Sequence, residues 1–177
     1  MKNDVIVLYN SHTGFTQRYA ELIAKELECP VRALKDAPSD LSQYGIVVFG
    51  SRLHAGIFDS WKKAQKQLTQ RGAKKLVVFA TGAMPNEAEE QIQKVWEQNL
   101  TPEERGIIPH FYLQAGLRRE KLSAGDRAML KVAAWAMGRK KGKSAEDEAF
   151  VNAISSSYDI SDPKYIQSLV GCLRGSD

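Results

Sequence analysis

The stretch VIVLYNSHTGFT, residues 5–16, constrains the fold more than any other part of the chain. Its first five residues form an unbroken apolar run rich in β-branched side chains, the pattern of a strand covered on both faces in a parallel sheet. Next come Asn10-Ser11-His12-Thr13-Gly14-Phe15-Thr16, three hydroxyls around one glycine. A helical pattern then runs from Thr16 to about Leu27, with Ala20, Ile23, Ala24 and Leu27 on one face. A polar loop between the carboxyl end of a strand and the amino end of a helix presents unpaired backbone N–H groups and a positive dipole, which attract phosphate. Ser11, Thr13 and Thr16 can add O–H donors, and Gly14 allows close approach and a positive φ. The bland alternative is an unliganded polar turn capped by a threonine.

This loop has no lysine and one glycine, so it matches neither the triphosphate pattern GxxxxGK[ST] nor the dinucleotide pattern GxGxxG. Hydroxyls and amides without a cation suit a single terminal phosphomonoester. Ser11-His12-Thr13-Gly14-Phe15-Thr16 resembles the phosphate loop of the flavodoxin family, Ser/Thr-x-Thr-Gly-x-Thr, at every defined position. The resemblance implies FMN as cofactor, its phosphate held at this loop.

Apolar runs at residues 31–34, 44–50, 76–80 and 111–115 predict four more strands, the first of them at a sheet edge. Helical patterns at about 58–70, 87–98 and 162–173 alternate with them, and Ser161-Asp162-Pro163 is a start signal for the last. Residues 36–43 read as loop or one helical turn, and 102–109 as a connector. The alternation predicts a single α/β domain over residues 1–177. Its expected form is a flavodoxin-like five-stranded parallel sheet, order 2-1-3-4-5, with helices on both faces. Ligands of such sheets bind beyond the carboxyl ends of the strands, where the loops after the first, third and fourth strands emerge.

The last two of those loops are Ser51-Arg52-Leu53-His54-Ala55-Gly56 and Thr81-Gly82-Ala83-Met84-Pro85-Asn86. The resemblance implies that they flank the isoalloxazine ring, mostly through main-chain groups. The candidate cofactor residues are therefore these two loops, Pro85 excepted, with Ser11, His12, Thr13, Gly14, Phe15 and Thr16. Neither ring loop carries Trp or Tyr, which leaves Leu53, His54 and Met84 as ring contacts and one ring face open to a substrate or quinone. His54 reads as a proton donor, a ring contact or a solvated side chain. Arg52 reads as a partner for an anionic flavin or a substrate carboxylate, or as a solvated charge. His12 would act through its backbone, and Phe15 would pack at the first helical turn. No residue is identified as the catalytic acid or base.

Before the last helix lies an insertion of about residues 116–157. It contains a helical pattern at about 124–139, with Leu130, Ala133, Ala134 and Met137 on one side, then Arg139-Lys140-Lys141-Gly142-Lys143. Ala115-Gly116-Leu117-Arg118, Asp126-Arg127 and Met129-Leu130-Lys131 resemble the menaquinone-dependent protoporphyrinogen oxidase branch of the family. Gly116-Leu117 is one residue tighter than that branch's pattern. The branch implies protoporphyrinogen oxidation with a quinone acceptor, and a small-molecule substrate or a redox protein as partner. An electron-transfer flavodoxin without a substrate of its own is the alternative, and a domain that has lost its cofactor is a third. The insertion stripe reads as a cover for the sheet edge and core, or as a platform near a membrane surface, with Trp135 and the basic run facing it.

Composition bounds the remaining classes. No apolar run approaches the ~18 residues of a membrane span, and Met1-Lys2-Asn3-Asp4 leads straight into a strand, without a signal peptide. Cys29 and Cys172 form no CxxC and predict reduced thiols in a cytoplasmic protein, with at most peripheral contact with the membrane's inner face. Three scattered histidines lack metal-ligand spacing, so no metal site is expected. A net charge of +4 is no argument for a nucleic-acid partner, yet it departs from the acidic character of carrier flavodoxins.

Overall fold

A computed structural model describes residues 4–139, 142, 151–152 and 154–175. Strands β1 (Val5–Tyr9), β2 (Val31–Ala33), β3 (Ile46–His54), β5 (Lys75–Gly82) and β6 (His110–Gln114) run parallel in the order β2-β1-β3-β5-β6. The short β4 (Ile57–Phe58) turns back antiparallel on β3. The five parallel strands thus stand in the expected 2-1-3-4-5 order, with β2 at the edge.

Alternation along each strand sends side chains into two apolar layers. Val5, Val7, Val48, Val77, Phe79 and Leu113 pack on α1 (Phe15–Leu27) and on the C-terminal helix α6 (Gln167–Arg174) with the turn before it. Helix α1 buries Ala20, Ile23, Ala24 and Leu27, the face its periodicity marks, together with Tyr19. Ile6, Leu8, Val47, Phe49, Val78 and Ala80 face α2 (Trp61–Gln70) and α3 (Glu89–Asn99). That layer is aromatic at its centre: Phe58 lies 5.9 Å from Phe49 and 5.7 Å edge-on from Trp96, centroid to centroid. Each such side chain, fully buried, contributes about 1.5–3 kcal/mol.

Several boundaries differ from the sequence expectation. Residues 51–54, expected in a loop, continue β3, because β5 pairs with them as far as Arg52↔Thr81 and β4 pairs with Leu53 and His54. Only Ala55 and Gly56 make the turn, at φ 50° and 79°. Thr81 and Gly82 likewise belong to β5. The expected connector holds α4 (Pro102–Ile107), started by a capping box in which Thr101 and Glu104 satisfy each other's backbone N–H groups. The last helix opens as a 3-10 turn at Pro163–Ile166, capped by Asp162, before α6 begins.

The insertion is pinched at its base by β7 (Gly116–Leu117) and β8 (Tyr158–Asp159), two antiparallel strands with no strong local signal. Helix α5 (Ala124–Gly138) forms where expected, capped by Ser123, but it does not cover the core. None of its described side chains is fully buried: Leu130, Ala134 and Met137 are half-buried, and Met129, Val132 and Trp135 are 41%, 63% and 60% exposed. Of the stripe, Ala133's side chain lies outside the described residues, as do Lys140, Lys141 and Lys143 of the basic run. Neither Cys29 nor Cys172 is in a disulfide, and burial pushes the Cys29 thiol up to about 11.

Gly50, in the centre of β3, is filled by its neighbour, since a Cβ there would fall inside the Phe79 ring. Phe79 is fully buried and has no room to retreat. Gly50→Ala is expected to destabilise the fold by about 1–3 kcal/mol, the range of overpacking in a close-packed core. Urea denaturation measures this; an unchanged midpoint would refute the packing argument.

Candidate functional site

The first loop leaves the sheet at Tyr9, and the N–H of Asn10 donates to the Gly50 carbonyl at 2.9 Å, so the chain exits between β1 and β3. Gly14 is the N-cap of α1 at φ 91°, and no side chain caps the helix. A left-handed φ suits glycine there and turns the chain abruptly into the helix. The Ser11 hydroxyl accepts from the Gly14 N–H at 3.2 Å, which closes the loop on itself. Thr16 is buried, and its hydroxyl lies 2.8 Å from that of Thr81, tying the first loop to the end of β5. His12 is exposed, with Nε2 3.3 Å from Asp59 Oδ2.

A cleft of about 230 Å³ opens at the carboxyl ends of β1, β3 and β5. Of the residues singled out from sequence, Thr13, Phe15, Arg52, Leu53, His54, Ala55, Thr81, Gly82 and Ala83 line it. Ser11, His12, Gly14, Thr16, Ser51, Gly56, Met84 and Asn86 do not. Several of these brace the loops around the cleft. The Tyr112 hydroxyl donates to the Met84 carbonyl at 2.8 Å, and Asn86 exchanges two 3.1 Å hydrogen bonds with Gln114, which pins the third loop to β6. Burial raises the Tyr112 phenol, so it stays a neutral donor. The Gly56 carbonyl accepts from Asn99 at 2.8 Å, while Asn99 Oδ1 takes the Phe58 N–H at 2.7 Å, which fixes the β3–β4 turn.

The other wall of the cleft comes from the insertion: Leu117, Arg118, Leu122, Asp126, Met129, Leu130, Ile154 and Tyr158. None of these was a site candidate in the sequence. Asp126 organises the middle of the wall. Its Oδ1 lies 2.8 Å from His54 Nε2, its Oδ2 3.4 Å from Arg52 Nη1, and its own N–H donates to the Ser123 hydroxyl. Arg52 in turn reaches Asp59 at 3.4 Å, so the guanidinium stands between two carboxylates. Burial works to raise the Asp126 carboxyl, but the charges of His54 and Arg52 and the bond from Ser123 outweigh it and hold the group below the ordinary carboxylate value. The His54–Asp126 contact is a close charge approach without hydrogen-bond geometry, which leaves His54 Nε2 a buried polar atom in the cleft wall. Ser123-x-x-Asp126, a helix-start pattern, was the local signal for where this carboxylate would sit.

These contacts attach α5 to the sheet by charge, which makes the attachment sensitive to pH. Asp126 is held below its unfolded value, so its contribution is fully present above about pH 4 and is lost as pH falls through the depressed value. Acidification should therefore raise amide exchange in α5 before it affects β1, β3 and β5. Asp126→Asn should produce the same local loosening at pH 7 and leave exchange in the sheet unchanged. Equal protection of α5 in parent and variant would remove this role for Asp126.

Comparison with known proteins places the chain. A flavodoxin-domain family model matches residues 6–144. No curated protein matches. Among solved structures the chain is similar to a flavodoxin from the domain Archaea, at 18% identity over 71% of this chain and 88% of that one, with a TM-score of 0.42. It is also similar to a flavodoxin, WrbA-like protein from Agrobacterium tumefaciens, at 20% identity over 71% and 88% of the two chains, TM-score 0.40. Oxidised flavodoxin 2 from Bacillus cereus aligns at 17% identity over 86% and 97%, TM-score 0.39. With the family match spanning most of its length, the chain belongs to the flavodoxin-domain family.

Proposed function

We propose that this protein is a flavin-dependent oxidoreductase whose cleft holds FMN. One observation carries the reading: Thr13 of the uncapped α1 loop, residues 52–55 and residues 81–83 come together in one cleft at the carboxyl ends of β1, β3 and β5. The donor set fits a phosphomonoester, with helix N–H groups, no side-chain cap and a glycine that keeps the loop open. Thr13 and the α1 start would hold the phosphate, and the ends of β3 and β5 would meet the ring. FMN supplies transfer of one or two electrons. His54, whose Nε2 faces Asp126, would exchange the accompanying proton with a substrate in the cleft, and Arg52 would offset the negative charge of Asp59 and Asp126 there.

The finer reading is protoporphyrinogen oxidation with a quinone as acceptor, in a cytoplasmic protein that touches the membrane from one side. It is supported by the insertion, whose Ala115-Gly116-Leu117-Arg118 and Asp126-Arg127 resemble that branch. The apolar residues Met129, Val132 and Trp135, exposed on α5 beside the cleft, suit an apolar acceptor. Among the described residues no helix is long and apolar enough to cross a membrane.

Titration of the purified chain with FMN, followed by flavin fluorescence, should saturate at one FMN per chain. A chain that binds no FMN would overturn the whole reading. With FMN bound, protoporphyrinogen and a menaquinone analogue without oxygen should yield porphyrin fluorescence. If none forms above the blank, the porphyrinogen claim fails and electron transfer without a dedicated substrate becomes the better account.

A further inference from the structure

The phosphate loop carries no cation of its own, but one reaches it from a distant part of the chain. Arg118 follows β7 at the base of the insertion and lines the cleft. Its Nη1 donates to the Thr13 carbonyl at 2.9 Å, and its guanidinium carbon stands 4.4 Å from the centroid of the Phe15 ring. A Cβ on Gly14 would come within 2.9 Å of the same Nη1, so the loop's glycine is also what makes room for the guanidinium.

The nearest carboxylate does not account for this placement. Asp159 Oδ2 accepts from Arg18 Nη1 at 2.9 Å, and Oδ1 accepts from the Ser161 N–H and hydroxyl at 3.1 and 2.5 Å. Arg118 Nη2 stands 3.6 Å from Oδ2, behind those closer partners. A guanidinium has five N–H donors, and the Thr13 carbonyl takes one. The side chain is three-quarters buried, and where it meets the loop its contacts are one neutral carbonyl and an aromatic face, with the Asp159 carboxylate shared with Arg18 and Ser161 and Glu120 acting on it through charge.

We propose that Arg118 is the cation of the phosphate site, supplied by the insertion, and that it makes the cleft select a flavin ending in a phosphomonoester over one ending in a hydroxyl. The inference rests on the FMN reading above. A dianionic phosphate at the start of α1 meets backbone N–H groups from one side and the planar guanidinium from the other, whose paired donors match phosphate oxygens. Phe15 already orders the side chain, so little freedom is lost on binding.

The test is equilibrium titration of the full chain with FMN and with riboflavin, read by flavin fluorescence. The parent should prefer FMN, and its FMN affinity should fall with added salt more than its riboflavin affinity does. Arg118→Gln should weaken FMN about tenfold or more and weaken riboflavin far less. Arg118→Lys keeps the charge but loses the fork, so it should fall between the two; it carries the same reading should the glutamine variant fail to fold. If FMN affinity is unchanged in a folded variant, or both ligands weaken equally, the role assigned to Arg118 is overturned while the FMN reading stands. A parent that binds neither flavin overturns both.

Discussion

The parallel pairing of β3 with β1 on one side and β5 on the other governs everything built at the sheet's carboxyl end. Its register sets Tyr9 beside Gly50 and Gly50 beside Phe79, so three strands run out within a few residues of one another. The absence of a side chain at Gly50, with the Phe79 ring in its place, keeps that junction close-packed. The chain that leaves β1 must then cross the top of β3, and the Thr16–Thr81 hydroxyl pair holds it against β5. A buried hydroxyl pair of this kind contributes about 0.5–1.5 kcal/mol net, but its larger effect is on position, since loosening it would leave two polar groups unpaired in an apolar setting.

Around that junction the loops are held by polar braces that do not depend on a ligand. Tyr19 is the clearest case. Its hydroxyl donates to the Gln114 carbonyl at 2.5 Å and accepts from the Asp162 N–H at 3.1 Å, so one side chain joins α1, β6 and the approach to the last helix. Burial pushes its phenol up to about 12, which keeps the proton that the bond to Gln114 needs. Gln114 passes the constraint on through its side-chain oxygen, which accepts from the Tyr165 hydroxyl and from the Asn86 N–H. Residues that do not line the cleft thus decide where those that do are placed, which is how a binding site is preorganised on rigid elements.

Legibility in the sequence followed the range of the interaction. Periodicity disclosed the five parallel strands, the α1 face and the extent of α5, because each depends on neighbours a few residues away. The α4 capping box at Thr101 and Glu104 was equally local and could have been read. The β7–β8 pair was not readable, since two-residue strands hold too few side chains to show a period. Nor were the partners of the site. Asp126 meets His54 and Arg118 meets Thr13 across most of the fold, and no local pattern encodes such a meeting. The α5 stripe misled for a related reason. Leucine, alanine and methionine at helical spacing mark an apolar face, but only the tertiary structure says whether that face meets the core or borders a cleft.

The protein therefore joins two pieces held by different forces. The sheet and its helices are stabilised by two largely apolar layers, to which salt and pH matter little. The described part of the insertion is attached largely through polar and charged groups. Arg118 bonds to Thr13, and Asp126 pairs with His54 and Arg52. Such contacts are weakened by salt and by protonation and need not fail together with the core. One wall of the cleft can then loosen while the floor stays rigid. The two groups that hold that wall, Arg118 and Asp126, are also charged groups that line the cleft.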